Sequence, residues 1–290
     1  MRKRNSTWIP IIGVLFSLAS MAARAETPSY DALYVFGDSY CDVGNIFALT
    51  GGAEPAAPYY NGRFSNGPIW LDQVAGFLGV PLKASALGGT DYAFGGAWVT
   101  EPKAVTGVPS VPEQVELYLS QHGGKGDPNA LYILEGGGND IVDTTNDSPE
   151  TLELHIAEGL AYSELPLREA GARHFIIPDL FNVGLLPAAA GNVTFAAKAS
   201  AATNQALDEL LAFEQFLEEI HIIRLNVFSL LNAVETDPTH FGFADITHPC
   251  LTTAVCSDPD HTLFWDTHHP TEFGHAFFAV TLENVLHRPD

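Results

Sequence analysis

Five short runs rich in β-branched and aromatic residues alternate along this chain with longer stretches of helical periodicity, and no other feature narrows its possible folds as far. The runs are residues 32–36, 91–94, 130–135, 174–178 and 222–226; the helical stretches are 68–78, 112–121, 149–170, 195–220 and 271–286. In the fourth stretch Leu207, Leu210, Leu211, Leu217 and Ile220 recur at helical spacing, which gives it one apolar face to lay on a sheet. Strands separated by helices pair side by side in parallel, each helix crossing over a face of the sheet. The expected architecture is α/β: a central, mostly parallel five-stranded sheet between two layers of helices. No repeat, low-complexity tract or linker divides the sequence, so residues 26–290 read as one domain.

In a sheet of this kind the ligand crevice lies beyond the carboxyl ends of the strands. The first run leads into Gly37-Asp38-Ser39, the second into Gly95-Gly96 and the third into Gly137-Gly138-Asn139-Asp140, so strand direction alone would gather these residues at one edge. A serine hydroxyl is a poor nucleophile until a base takes its proton and a third group orients that base. Near the far end of the chain, Asp266-Thr267-His268-His269-Pro270-Thr271 supplies a carboxylate and two adjacent imidazoles on one short segment. Acyl transfer through a serine also needs donors for the developing oxyanion, worth on the order of 3 kcal/mol each. The Ser39 N–H, the N–H of Gly95 or Gly96 and the Asn139 side-chain amide are the candidates; a tight turn at the glycines and a helix cap at Asn139 are the competing readings. The serine does not sit in a Gly-x-Ser-x-Gly pentapeptide. Gly136-Gly137-Gly138 is neither a dinucleotide fingerprint nor a loop followed by a phosphate-binding lysine, so a nucleotide site is not expected.

Taken in order, these four blocks resemble the SGNH/GDSL esterase-lipase family. The resemblance runs from about Leu33 to His275 and includes the connecting text Asn61-Gly62-Arg63-Phe64-Ser65-Asn66-Gly67-Pro68 and Phe264-Trp265-Asp266. It implies the flavodoxin-like sandwich of that family, a secreted serine carboxylic-ester hydrolase, and Ser39, Asp266 and His269 as the catalytic residues. His269 is preferred to His268 because the family's Asp-x-x-His precedes Pro-Thr. The implied oxyanion hole is Ser39, Gly96 and Asn139, with Gly95 as the alternative to Gly96, and Asp38 and Asp140 tie the loops together. No cofactor and no metal is implied. The substrate would be a small-molecule or lipid ester of short to medium acyl chain; a glycan O-acetylester, or a non-catalytic binding module of the same fold, are the other readings. Two positions depart from the family: Tyr40 stands where Leu is usual and Cys41 where Ser is usual, which is expected to alter the wall beside the nucleophile. Tyr59, Tyr60, Phe64 and Trp70 form an aromatic-rich segment that either lines an acyl or choline site or packs in the core.

At the N-terminus, Arg2-Lys3-Arg4, an apolar run from Trp8 to Ala19 and Ala23-Arg24-Ala25 read as a secretory signal cleaved after Ala25, which would place the mature chain in the periplasm or outside the cell. Loss of the four basic residues Arg2, Lys3, Arg4 and Arg24 would take the formal charge from −22 to −26. Such a surface repels nucleic acid and anionic membranes at long range, and no later segment has the apolar length of a membrane span. Of the three cysteines, Cys250 and Cys256 are close enough in sequence to close a small disulfide in an oxidising compartment, leaving Cys41 as a buried, unpaired residue.

Overall fold

The computed structural model describes residues 29–100, 107–144, 149–212 and 220–287. The expected signal at 1–25 lies outside them, as does Leu217. Four strands form one parallel sheet in the order β1 (Leu33–Phe36), β2 (Leu131–Leu134), β3 (His174–Ile176) and β4 (His221–Ile223), with Val35 opposite Ile133 and Ile133 opposite Ile176. Side chains alternate between the faces of a strand, yet Leu131, Tyr132, Ile133 and Leu134 are all buried, so both faces of the sheet are covered.

Eight α-helices lie among the described residues: α1 (Asn45–Leu49), α2 (Trp70–Leu78), α3 (Val111–Gln121), α4 (Gly138–Asp143), α5 (Pro149–Glu169), α6 (Val193–Ala212), α7 (Val227–Thr236) and α8 (Glu272–Leu286). Helix α2 packs with α8, and α5 packs with both α3 and α6. Start signals behave as their chemistry dictates. Ser110 and Glu113 cap α3 reciprocally, with Pro112 in its first turn, and the Thr271 hydroxyl accepts the Gly274 N–H to open α8. In α6, Leu207 and Leu211 are fully buried, as the spacing predicts.

The sheet has four strands where five were expected, because residues 91–94 form only isolated bridges, from Asp91 to Val35 and to Ala84. The segment still lies along the free edge of β1: the Tyr92 N–H donates to Val35 O at 2.7 Å and the Phe94 N–H to Gly37 O at 3.1 Å. It does not continue as a ladder because the buried Asp91 carboxylate accepts the Val43 and Ala93 N–H groups, bending the chain into the Gly95-Gly96 turn. Counting this edge segment, the sequence order across the sheet is 2-1-3-4-5. The chain leaves β1 toward one side and returns to β2 on the other, so β1 and β2 flank a topological switch point. The fifth expected run, 222–226, also ends early. Asn226 leaves the sheet and its side chain caps α7 through the Ser229 N–H at 2.9 Å.

Cys250 and Cys256 are joined by a disulfide, and Cys41 is free and fully buried. Among the described residues no helix is long and apolar enough to cross a membrane. Native protein treated with a thiol alkylator should therefore remain unlabelled, and unfolding without reductant should expose one reactive thiol, Cys41. Mass spectrometry of the two digests checks this, and native labelling of Cys41 would show its packing to be wrong.

Candidate active site

Beyond the carboxyl end of β1 the chain turns through Gly37-Asp38-Ser39. The Gln114 side chain on α3 fixes this turn by pairing with both backbone groups of Gly37, accepting its N–H at 2.8 Å and donating to its carbonyl at 2.9 Å. Ser39 is nearly buried, and its hydroxyl donates to His269 Nε2 at 2.8 Å. The ring's other nitrogen, Nδ1, donates to Asp266 Oδ2 at 2.7 Å. Asp266 and His269 are presented by one short hairpin: Phe264 bridges Pro270, and the Trp265 N–H donates to His269 O at 2.7 Å. Asp266 Oδ1 accepts the His268 and His269 N–H groups at 2.7 and 2.8 Å, so the segment holds its own carboxylate. Burial pushes the Asp266 carboxyl up, but the charge and hydrogen bond of His269, the His268 N–H and the Tyr59 hydroxyl outweigh it and hold the group well below the usual carboxylate range.

His268, the other imidazole of the segment, turns away. Its Nδ1 meets Thr267 Oγ1 at 2.9 Å, and its carbonyl accepts the Tyr40 hydroxyl at 2.7 Å. The structure also separates the two glycines that sequence left open. The Gly95 N–H is committed to Asp42 Oδ2 at 2.9 Å and Gly95 packs against the Phe64 ring, which a Cβ would strike. Gly96, at φ 79°, has an N–H with no partner among the described residues, and the same holds for the Ser39 N–H. Asn139, at the start of α4, donates its side-chain amide to Ala97 O at 2.9 Å and, at a longer 3.3 Å, to Asp38 Oδ2. It thus joins the residue before Ser39 to the residue after Gly96. Asp140 ties down the next loop through the Val99 and Thr100 N–H groups and the Thr100 hydroxyl.

The aromatic segment does not converge on one pocket. Trp70 is in the core with its indole N–H on Tyr40 O, Tyr60 is at the surface, Phe64 lies 5.1 Å from the His269 ring, and Tyr59 donates its hydroxyl to Asp266 Oδ2 at 2.7 Å. Tyr40 stacks on Phe181 at 4.8 Å instead of standing open to Ser39. Three residues that sequence reasoning gave no role complete the site: Gln114, Asp42 and Glu135. Glu135 Oε2 faces the Cys41 thiol at 3.4 Å and the Asp38 N–H at 3.5 Å, directly beneath the Gly37-Asp38-Ser39 turn. Burial, with Asp38 alongside, raises the Glu135 carboxyl well above its ordinary value; burial also raises Asp38, to about 6, against the opposing pull of the Tyr40 N–H and His269.

Among the described residues no cluster of His, Cys, Asp or Glu is arranged to hold a metal ion. The arrangement can do one kind of chemistry directly: pass the serine proton to an imidazole whose far side is held by a carboxylate, with unpaired backbone donors close to the serine.

The sequence model described as GDSL-like lipase/acylhydrolase matches residues 33–281. A phosphatidylcholine-sterol acyltransferase of Aeromonas hydrophila is 28% identical over 251 residues, covering 84% of this chain and 72% of that protein. Lipase 1 of Photorhabdus luminescens is 32% identical over 170 residues, 58% of this chain, which spans only 25% of that relative's length. Among solved structures, Est24, a carbohydrate acetylesterase from Sinorhizobium meliloti, superposes with a TM-score of 0.51 at 12% identity, covering 88% of this chain and 97% of that one, a likeness of fold.

The raised Glu135 carboxyl has a consequence for stability. Between its unfolded value and its higher folded value the folded state binds more protons, so stability falls as pH rises through that window. Glu135→Gln removes this dependence. Its melting temperature should match wild type at about pH 5 and exceed it at about pH 8, read by thermal denaturation across pH; parallel curves would show that Glu135 is ionised in the folded state.

Proposed function

Since this chain belongs to the GDSL-like lipase/acylhydrolase family of ester hydrolases, we propose that Ser39 is its nucleophile, His269 its general base and Asp266 the acid that orients the base. The observation that carries the reading is the continuous path from Ser39 Oγ to His269 Nε2 at 2.8 Å and from His269 Nδ1 to Asp266 Oδ2 at 2.7 Å. In it the Ser39 proton passes to Nε2 as Oγ attacks the ester carbonyl. Asp266, ionised throughout, stabilises the imidazolium that results. The oxyanion is received by the Ser39 N–H, the Gly96 N–H and the Asn139 amide, which exchanges its long contact with Asp38 for the substrate oxygen. Collapse expels the alcohol with the proton from His269, leaving an acyl-Ser39 ester that water, activated by the same imidazole, hydrolyses.

The substrate we assign is a carboxylic ester with a short to medium acyl chain. The formal charge of −22 disfavours an anionic lipid surface, and Phe64 stands close beside the His269 ring. Export from the cytoplasm accords with the signal-like residues 1–25 and with a disulfide.

Ser39→Ala should abolish hydrolysis of nitrophenyl butyrate with the circular dichroism spectrum unchanged. His269→Ala should be nearly as damaging while His268→Ala keeps most of the rate; the reverse ranking would move the base to His268. Asn139→Ala should lower kcat by about 10²–10³-fold with a smaller change in KM, as for a donor used in the transition state. A panel of nitrophenyl esters should peak at about two to eight acyl carbons, and a preference for long-chain emulsions would overturn the substrate assignment.

A further inference from the structure

Oδ2 of Asp266 carries two short hydrogen bonds, one from the imidazole of His269 and one from the hydroxyl of Tyr59, each 2.7 Å long. We propose that Tyr59 is a positioning residue of this site: its hydroxyl locks the Asp266 carboxylate in the plane that receives His269 and moderates the pull of that carboxylate on the imidazole. The proposal rests on the roles of Ser39, His269 and Asp266 given above.

A carboxylate held through one oxygen can still rotate about its Cβ–Cγ bond. Asp266 is held at both. The two backbone N–H groups of its own hairpin fix Oδ1, and Tyr59, 207 residues away in sequence, fixes Oδ2 from the opposite side. The phenol can only donate here, since an ionised carboxylate offers acceptors alone. Burial and the neighbouring Asp266 charge both raise the Tyr59 hydroxyl above its ordinary value, which keeps its proton in place. The ring itself is set edge-on between Trp265, at 6.1 Å and 88°, and Phe64, at 6.4 Å and 71°. Trp265 immediately precedes Asp266, and the Phe64 ring lies beside His269, so the contacts that orient Tyr59 come from the two sides of the pair it serves.

Donation from Tyr59 also draws negative charge away from Oδ2. Without it, Asp266 would stabilise the imidazolium of His269 more strongly, and a higher pH would be needed to free the base. Loss of the hydroxyl therefore has two signatures: a lower kcat from a looser carboxylate, and an acid limb of the pH profile displaced upward. A residue that merely packs would give neither.

The test is Tyr59→Phe, which keeps the ring, assayed with nitrophenyl butyrate beside Ser39→Ala, Asp266→Asn and the Tyr59→Phe/Asp266→Asn pair. Expected for Tyr59→Phe are a melting temperature close to wild type, a kcat lower by about 5–20-fold with KM within about twofold, and an acid limb of kcat/KM raised by about 0.3–0.5 pH unit. In the Asp266→Asn background the same substitution should change kcat by less than about twofold, because its effect passes through the carboxylate. An unchanged kcat and pH profile, or an equal loss in both backgrounds, overturns the role of Tyr59. Turnover surviving in Ser39→Ala would instead overturn the assignment of the triad, so the two failures are distinguishable.

Discussion

Buried carboxylates that accept backbone N–H groups hold the working edge of this molecule together. Where the chain leaves a strand its N–H groups lose their ladder partners, and burying them unpaired is costly. Asp42 collects the N–H groups of Gly44, Ile46 and Gly95, Asp91 those of Val43 and Ala93 with the Asn45 amide, and Asp140 those of Val99 and Thr100. With 35 acidic side chains against 13 Lys and Arg, the chain has few cations to set against them, and peptide dipoles take that place. The compensation is incomplete. Burial leaves the carboxyls of Asp42, Asp91 and Asp140 above their ordinary values despite these bonds, whereas Asp266, whose partner is an imidazole, is shifted the other way.

This scaffold mounts the two sides of the site separately. Gln114 and Asp38 set the serine turn, Gln114 through Gly37 and Asp38 through the Tyr40 N–H, and Asp42 sets the glycine turn. The histidine hairpin is built elsewhere. The disulfide loop grips it through the Cys250 N–H on Phe264 O and the Leu251 N–H on Trp265 O. Among the described residues the bonds that cross between the sides include the Tyr40 hydroxyl to His268 O, the Ser65 hydroxyl to Pro270 O, the Glu272 N–H to Asn66 Oδ1, and Tyr59 to Asp266. The distance from Ser39 to His269 is set by these bonds together with the Tyr40 ring, which packs against His275 and Phe278 of α8.

What the sequence disclosed follows from the same division. Hydrophobic periodicity placed four of five strands and the long helices, and the family resemblance pointed to Ser39, Asp266 and His269, which the structure brings within hydrogen-bonding reach of one another. The edge segment at Asp91 misled because its β-like composition hides a carboxylate that turns the chain. Helices α1, α4 and α7 are short, and α4 opens on glycines that read as a loop. Gly95 and Gly96 could not be told apart from sequence because the difference lies in Asp42, 53 residues earlier. Gln114, Glu135 and Tyr59 act through contacts 77 to 207 residues away, and no spacing marks a lone Gln, Glu or Tyr for such a role.

The two departures at Tyr40 and Cys41 make sense beside Glu135. A Leu at position 40 would have no hydroxyl to reach the His268 carbonyl, so Tyr40 turns an apolar filler into a strap between the two mounts. Cys41 contributes a thiol that, with the Asp38 N–H, faces the Glu135 carboxyl. A second ionised acid beneath Ser39 would oppose the negative charge that gathers on the ester oxygen in the transition state. Burial, with Asp38 alongside, raises the Glu135 carboxyl toward its neutral form, and the hydrogen bonds from the Cys41 thiol and the Asp38 N–H oppose that rise without outweighing it. Asp38, raised by burial against the pull of the Tyr40 N–H and His269, accepts the Asn139 amide at 3.3 Å, so the proposed oxyanion donor is held from the serine turn itself.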